Sequence, residues 1–416
     1  MKWAVTAVAV LLGCAPVVRA ADLPPLLSPP TNASPQTAMN DLLANFWVGT
    51  PSGGHINYSC GLKGGCMWEG AQAANVLYSW WKITGSADAA TRIAAHWRWM
   101  KSEHPNAADF TTCGGPSREN YASDDTGWDI AYFLQAYDVT HDQAALSDAK
   151  GALECARGRW WDQTFGGGYW YDDHKTGKGA YQTILILDEL TYYQFTGDAA
   201  YLKLAKDDEA WMVSHLLIGP NQSTVSPAGV GLYFTAYTAT GCKGAPGPAG
   251  CPYHMNVSNI AQDQTMLVAN MAMSVVDSRL FHITNDPAYQ ARMLSTAAGI
   301  RRTETNAANA AHGALNGMNV FTDDQDANVN AFEAAAYLLE VVPHLPPGGG
   351  YADGAVFKAT AEAIMANDRL PNGFYGGDWQ GPVSGVWTHN GNHSEPQHIV
   401  ITSNAINMVV VSADVK

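Results

Sequence analysis

A segment made of an aromatic helix end, a threonine and a tight turn recurs along the chain. It occurs at Tyr78–Thr84, Phe133–Thr140, Tyr192–Thr196 and Leu280–Thr284. The first two intervals between the threonines are 56 residues long, and the third is 88. The residue after each threonine ends one helix, and the residue that follows caps the next. The spacing therefore predicts a repeated unit of helix, turn and helix, with an insertion in the third interval.

Apolar residues with helical periodicity predict about twelve helices and few strands. We place the helices at 35–47, 67–84, 87–103, 124–140, 143–161, 179–196, 198–216, 259–284, 286–303, 325–342, 351–370 and 396–413. A short hairpin fits 225–240. Six helical hairpins of this size predict an all-α fold, a closed (α/α)6 barrel, rather than an open solenoid. The inner helices would be the first of each pair, including 124–140 and 179–196. A closed ring predicts one catalytic domain over residues 21–416.

The first twenty residues have the pattern of a secretory signal. Lys2 gives a basic start, Ala4–Gly13 an apolar core, and Val18–Ala20 a small-residue cleavage site. The apolar stretch is too short to span a membrane, and no later segment is long enough either. We therefore expect a signal peptide at 1–20, a secreted or periplasmic protein, and no membrane partner.

The charge balance limits the partners. The chain has 23 Lys and Arg against 38 Asp and Glu, a formal net charge of −15. Such a chain has little with which to neutralise phosphates, so nucleic acid is not an expected partner. A neutral or cationic substrate fits this charge better. As to assembly, we expect a monomer.

Six cysteines remain after the predicted signal, an even number that suggests disulfides in an exported chain, although fifteen connectivities exist. Two short spacings bracket Gly-rich loops, which favours local bridges there. The expected pairs are Cys60–Cys66, Cys242–Cys251 and, by what is left, Cys113–Cys155.

Two adjacent aspartates, Asp124 and Asp125, begin the predicted helix 124–140. Neighbouring carboxylates repel, so one can hold a proton while the other is ionised, a division that a retaining glycosidase needs. The alternative is an ordinary helix start, because Ser123 and Asp124 are N-capping residue types and acids suit this helix end. Three other adjacent pairs exist, and at most one pair should be the reaction centre: Asp172–Asp173, Asp207–Asp208 and Asp323–Asp324.

The loops that enter the predicted inner helices are rich in Gly, Trp, Tyr and Asp. They are His55–Trp68, Cys113–Trp128, Phe165–Tyr181 and Asn372–His393. In a closed ring they would crowd around one mouth, and aromatic faces with carboxylates suit a sugar cleft. The alternative is that tryptophans only fill the core, which we expect of most of the 14, including Trp80, Trp97 and Trp160. The candidates for sugar contacts are Trp68, Trp128, Trp170 and Trp379.

Three stretches resemble glycoside hydrolase family 76, the secreted α-1,6-mannanases. Asp124-Asp125-x-x-Trp128 is similar to the catalytic motif of the family. Phe165–Asp172 resembles its Gly-Gly-Gly-x-Trp-Trp-Asp element, and Asn372–Pro382 its closing Trp-x-Gly-Pro loop. The resemblance runs from about residue 40 to about residue 413.

The resemblance implies an (α/α)6 barrel, retention at the anomeric carbon and an α-mannan substrate, polysaccharide or oligosaccharide. It implies Asp124 as the nucleophile and Asp125 as the general acid/base, with no metal and no cofactor. The residues expected to bind substrate are Trp68, Trp128, Asp129, Trp170, Tyr171, Asp172 and Trp379.

The chain departs from the family around the expected cleft. Asp129 replaces a second tryptophan; it either faces the cleft as an ionised acid that raises the pKa of Asp125, or faces a neighbouring helix and bonds an Arg or backbone group. Lys178-Gly179-Ala180 replaces Lys-Asn-Ala, and a later Tyr-Asn-Gln-Gly segment is not recognisable, with Ala261–Thr265 in its place.

Three functions stay open at this point. The first is an endo-acting α-1,6-mannanase. The second is another carbohydrate-active enzyme on the same barrel, such as an inverting glycosidase, an α-glucan hydrolase, a mannan transglycosylase or a lyase. The third is a non-catalytic glycan-binding relative, which the intact aspartate pair disfavours. Inversion requires carboxyls roughly 6.5–9.5 Å apart, and neighbouring residues favour the shorter separation of retention. The acidic chain disfavours a polyanionic lyase substrate.

Overall fold

A computed structural model describes twelve α-helices and four very short strands. The described residues are 34–57, 67–103, 122–175, 177–179, 182–219, 230–234, 236–237, 267–304, 331–348, 350–375 and 399–412. The helices are α1 Ser34–Phe46, α2 Met67–Thr84, α3 Ala87–Glu103, α4 Ser123–Thr140, α5 Gln143–Trp160, α6 Thr183–Thr196, α7 Ala199–His215, α8 Leu267–Thr284, α9 Pro287–Glu304, α10 Ala331–Glu340, α11 Gly354–Ala363 and α12 Ile399–Ser412.

The strands form two small antiparallel pairs. β1 (Trp47–Val48) pairs with β2 (His55–Ile56), and β3 (Lys178–Gly179) pairs with β4 (Ala236–Tyr237). Two short 3₁₀ segments, Thr164–Gly166 and Val342–His344, and a π turn at Ile364–Asp368 complete the regular structure of the described chain.

Six of the helices close into an inner ring. In order around the ring, α2, α4, α6, α8, α10 and α12 each pack against the next, and α12 packs against α2. The other six form an outer layer: α3 lies on α2 and α4, α5 on α4, α7 on α6, α9 on α8, and both α11 and α1 on α12. This is the predicted (α/α)6 barrel. In this ring α4 and α10 stand opposite each other.

The composition of the inner helices explains why they are inside. Residues 183–190 of α6 are buried on every side of the helix, and most of α4 and α8 is buried as well. A helix that is apolar all round must be surrounded by other helices. The predicted inner positions of 124–140 and 179–196 are therefore confirmed. No helix in the described part of the chain is both long and apolar enough to cross a bilayer.

One detail of the sequence prediction was wrong. The helix predicted from residue 179 begins at Thr183, because Lys178–Gly179 pairs as a strand with Ala236–Tyr237. This error arises from a long-range pairing that local periodicity does not encode. Residues 225–229 and 238–240 of the expected hairpin lie outside the described ranges, so the hairpin stays a prediction.

The recurring threonine turn is the same in all four units. Each threonine hydroxyl donates to the carbonyl four residues earlier at 2.6–2.8 Å and accepts the N–H two residues later at 3.1–3.2 Å. The residue directly after each threonine has a left-handed backbone with φ of 56–72°. The four pairs are Thr84–Gly85, Thr140–His141, Thr196–Gly197 and Thr284–Asn285. In three units the next residue is an aspartate whose carboxylate caps the outer helix at 2.9–3.0 Å.

Several predictions fall on residues outside the described ranges. These include the signal at 1–20, Trp379, Asp323–Asp324 and all cysteines except Cys155. Cys155, on α5, is disulfide-bonded. Its pairing with Cys113 stays a prediction.

Close packing of α4 on α6 depends on one glycine. A Cβ atom built on Gly127 would lie 2.4 Å from the Cγ2 atom of the buried Ile184. A real Cβ does not approach another carbon so closely. Gly127 therefore lets the two inner helices approach beside the first turn of α4.

We predict that Gly127→Ala destabilises the protein by about 1–3 kcal/mol, because the added methyl group overpacks a rigid contact. The matched control is Gly151→Ala on the outer helix α5, where an added Cβ meets nothing within 4 Å. There the same change should stabilise by about 0.5–1 kcal/mol through helix propensity. Urea unfolding of both variants measures the difference, and equal effects would contradict the packing argument.

A buried carboxyl pair joins α7 to α8 and α9. Arg292 lies 2.8 Å from Glu209 Oε1 and donates to Asp277 Oδ1 at 3.1 Å. The two carboxyl groups therefore share one guanidinium. Burial, followed by the negative charge of Glu209, raises the pKa of Asp277 well above its ordinary value. One arginine thus faces two buried carboxyl groups, and burial disfavours the charge on Asp277.

A raised pKa in the folded state gives a stability that is complete below the unfolded pKa and is lost as pH rises through the folded pKa. We therefore predict that Asp277→Asn, which is neutral at every pH, reduces the loss of unfolding free energy as pH rises above about 4. Denaturant titrations at several pH values measure this slope. Asp88→Asn, an exposed member of a surface ion pair, is the control. An unchanged slope in Asp277→Asn would contradict the raised pKa of Asp277.

Candidate active site

Asp124 and Asp125 lie in the first turn of α4, at the mouth of the barrel. Asp124 is 6% exposed, and its Oδ1 accepts the backbone N–H of Asp125 at 3.0 Å. The N-cap is Ala122, whose side chain cannot cap, so neither Ser123 nor Asp124 is the capping residue that the ordinary-helix alternative required. Both carboxyls stand at the positive end of an inner helix, which favours negative charge there.

The Gly-rich segment predicted to face the same mouth is joined to this turn. The backbone N–H of Ser123 donates to the carbonyl of Tyr171 at 2.7 Å, and Ala122 pairs with Asp172 in an antiparallel bridge. Tyr171 is half-buried and Asp172 is buried. Two motifs that are almost fifty residues apart in sequence thus meet beside the aspartate pair.

A buried lysine holds this segment in place. Lys178 has no exposed side-chain surface and donates to Asp162 Oδ1 at 2.7 Å and to three backbone carbonyls, those of Asp162, Thr164 and Gly167, at 2.8–2.9 Å. Burial lowers the pKa of Lys178, while Asp162 pulls it upward. Burial alone would raise the pKa of Asp162, but hydrogen bonds from Lys175, Lys178 and Trp170 hold it well below its usual range.

Trp170, an expected sugar contact, is part of this anchor. Its indole N–H donates to Asp162 Oδ2 at 2.8 Å, and the Lys178 ammonium lies 4.8 Å from its ring centroid. The side chain is only 6% exposed. The structure therefore places Trp170 behind the mouth, where it supports Tyr171 and Asp172.

Trp68 and Trp128 form the floor below the aspartate pair. Their ring centroids are 5.2 Å apart, with the rings tilted by 40°. The indole N–H of Trp128 donates to Glu333 Oε1 at 3.1 Å. Since α4 and α10 stand opposite each other, this bond crosses the lumen. Burial raises the pKa of Glu333 to about 8, so Glu333 is neutral at neutral pH.

Sequence reasoning missed Glu333 and a second lumenal acid, Asp188 on α6. Asp188 is fully buried, and burial together with the nearby Glu333 raises its pKa well above the ordinary value. The signal was present in the sequence, because Asp188 interrupts the apolar run 184–190 and Glu333 interrupts an Ala-rich helix. An acid inside a helix that is apolar all round must face the lumen or a buried partner.

Asp129 is buried within α4 rather than exposed at the mouth. It is 2% exposed, and burial raises its pKa well above the ordinary value. Its Oδ1 has no hydrogen-bond partner among the described residues. Burial disfavours the charge on this carboxyl, which argues against the alternative of an ionised acid that raises the pKa of Asp125. The expected contact of Asp129 with substrate stays a prediction.

In each of the other described aspartate pairs, one member is held in an ion pair away from the mouth. Asp173 is bound by the guanidinium of Arg159 at 2.8 Å and by the Trp160 indole at 3.1 Å. Asp207 is exposed on α7, while its neighbour Asp208 is buried in an ion pair with Arg157. Among the described pairs, Asp124–Asp125 alone has both members in the first turn of an inner helix.

Of the predicted site residues, the structure brings six together around the mouth: Asp124, Asp125, Trp68, Trp128, Tyr171 and Asp172. Trp170 lies behind them and Asp129 inside the ring. Trp379 is outside the described residues. The individual roles of these residues in catalysis or binding stay predictions.

We predict that Asp129→Asn leaves both limbs of the pH–rate profile of glycoside hydrolysis in place, because burial favours the uncharged acid, which the amide matches in shape. The kcat measured from pH 4 to pH 9 tests this. A basic limb moved toward lower pH by more than about half a unit would show that Asp129 carries charge near Asp125.

Comparisons with known proteins give structural matches only. No family profile matches the sequence, and no curated protein matches it. The fold is similar to that of a family 76 α-1,6-mannanase from Salegentibacter sp. HEL1_6, with a TM-score of 0.62 and 17% identity over 91% of this chain and 99% of that chain. An inactive variant of the same enzyme, with two adjacent aspartates changed to asparagine, was solved with α-1,6-mannotriose.

Two further matches have similar extent. A family 76 α-mannanase from Bacteroides thetaiotaomicron has a TM-score of 0.59 and 14% identity over 91% of this chain and 95% of that one. Dfg5 from Chaetomium thermophilum, solved with glucosamine, has a TM-score of 0.60 and 14% identity over 91% of this chain and 90% of that one. At these identities the matches establish the barrel fold, which agrees with the resemblance found in the sequence.

Proposed function

We propose that the protein is an exported, retaining glycoside hydrolase that cleaves α-1,6-mannosidic linkages within mannan chains. The observation that carries this proposal is the placement of Asp124 and Asp125 side by side at the mouth, above a floor of Trp68 and Trp128. Carboxyl groups supply the two roles of a retaining mechanism, and aromatic faces bind sugar rings.

The roles follow from position and from the family resemblance. Asp124, the ionised nucleophile, attacks the anomeric carbon and forms a covalent glycosyl intermediate. Asp125 first protonates the departing glycosidic oxygen and then removes a proton from the incoming water. The helix terminus favours charge on the nucleophile, because unpaired N–H groups point toward it.

The substrate class is supported by charge and by the structural matches. An acidic chain suits a neutral polysaccharide. The Salegentibacter and Bacteroides structures are family 76 α-mannanases, and the inactive Salegentibacter variant combines two changed adjacent aspartates with a bound α-1,6-mannotriose. We extend that arrangement to Asp124 and Asp125. The signal-like first twenty residues and the disulfide-bonded Cys155 support export.

A second candidate is glycan binding without hydrolysis. The Dfg5 structure with glucosamine supports it, since the same barrel holds an amino sugar there. The intact aspartate pair favours the enzyme. Incubation with debranched α-1,6-mannan, branched mannan and α-1,6-glucan, followed by product sizing, separates the two. We expect short oligomannosides from the first substrate, whereas binding without any product would support the second candidate.

We predict that Asp124→Asn and Asp125→Asn each reduce turnover by about 10²- to 10⁴-fold or more while the melting temperature stays within a few degrees, because each change removes a reacting group from the mouth. Initial rates of reducing-end release from debranched α-1,6-mannan measure the effect.

The matched control is Asp207→Asn, the exposed member of another adjacent pair, which forms an ion pair with Lys203 on the outer helix α7. It should retain wild-type turnover. Near-normal activity in either Asp124→Asn or Asp125→Asn would remove that residue from the mechanism.

A further inference from the structure

Glu333 is joined to the floor of the mouth from the far side of the barrel. Its Oε1 accepts the Trp128 indole N–H at 3.1 Å, and both side chains are buried, at 2% and 7% exposure. Trp128 begins the second turn of α4, three residues after Asp125. We propose that Glu333 is a positioning residue that fixes the Trp128 ring, and through it the Trp68–Trp128 floor on which the reacting sugar rests.

Apart from the hydrogen bond to Glu333, the contacts of Trp128 do little to fix the direction in which its indole N–H points. Packing against Trp68 at a 40° tilt fixes the distance between the rings but permits rotation about the side-chain torsions. The indole has a single donor, so one hydrogen bond decides which way the ring points. In a buried lumen that donor would be costly to leave unpaired, and the ring would turn to find another acceptor.

Glu333 holds the Trp128 indole from outside α4, the helix that carries Trp128. Its helix, α10, stands on the opposite side of the inner ring, and 205 residues separate the two partners. A hydrogen bond across the lumen fixes the Trp128 indole relative to the whole barrel rather than only to α4. The floor under the aspartate pair is then held by three inner helices, with Trp68 on α2, Trp128 on α4 and Glu333 on α10.

The chemistry of Glu333 provides a close control. Because burial keeps this carboxyl neutral at neutral pH, glutamine conserves its charge, its size and an oxygen that accepts the indole N–H. Leucine conserves the approximate size and removes the acceptor. Leucine should not destabilise the fold greatly, because it also removes a buried acid whose Oε2 has no hydrogen-bond partner among the described residues.

The experiment compares Glu333→Gln and Glu333→Leu with the wild type. The inference rests on the proposed function for its kinetic readout, and on nitrogen-15 indole spectra for a readout without catalysis. The Trp128 indole signal is assigned through Trp128→Phe. We expect this signal to keep its position in Glu333→Gln and to move and lose exchange protection in Glu333→Leu.

On debranched α-1,6-mannan, kcat should fall at least about tenfold in Glu333→Leu, with a smaller change in KM, since the sugar is bound but misplaced relative to the aspartates. Glu333→Gln should restore kcat to within about threefold of wild type, and the melting temperatures should not follow this order. A kcat in Glu333→Leu equal to that in Glu333→Gln would overturn the positioning role.

Failure of the proposed function is distinguishable from failure of the positioning role of Glu333. A wild type without hydrolytic activity on any of the three glycans would overturn the function. The indole signal would still test the positioning role: an unmoved signal in Glu333→Leu overturns it, and a moved signal supports it.

Discussion

Closure of the six inner helices into a ring is the constraint on which the rest of the structure depends. Closure removes every side of these helices from water, so each polar group that faces the lumen must find a partner or lose its charge. It also brings the starts of the inner helices to one mouth, because each outer helix reverses the chain. Carboxyl groups of this chain therefore have two environments. Asp188 and Glu333 lie inside, where burial raises their pKa values, while Asp124 and Asp125 lie at the mouth.

This division changes how the charge of the chain should be understood. The formal net charge of −15 counts every carboxyl as ionised. Seven carboxyl groups in the described part have pKa values raised by burial: Asp129, Asp188, Glu189, Asp208, Glu209, Asp277 and Glu333. Burial opposes the charge on these carboxyls, and an arginine compensates several of them. A mildly acidic surface is compatible with a neutral glycan, and the pairing of these groups with Arg157 and Arg292 ties several helices of both layers together.

Much of the fold could be predicted because the sequence patterns that encode it are local and repeat along the chain. A threonine, a left-handed residue and a capping acid produce the same turn each time, so the 56-residue spacing indicates helical hairpins, and their number indicates a ring. The aspartate pair was also found by a local signal. What could not be predicted depends on contacts between distant segments. The bond from Trp128 to Glu333, the β3–β4 pairing and the support of Trp170 by Lys178 each need the closed barrel. The alternatives for Asp129 stayed open because the sequence shows only its place along the helix, whereas its burial depends on the packed ring.

The proposed mechanism requires that two neighbouring carboxyls at the mouth carry out a retaining displacement on a mannoside. The most direct measurement is the anomeric configuration of the first sugar released, followed by proton NMR before mutarotation, with an α-1,6-mannooligosaccharide as substrate. A double displacement by Asp124 and Asp125 predicts that the α-anomer appears first and that the β-anomer follows only by equilibration. Initial release of the β-anomer would show a single displacement with water, which would contradict the assignment of Asp124 as a nucleophile.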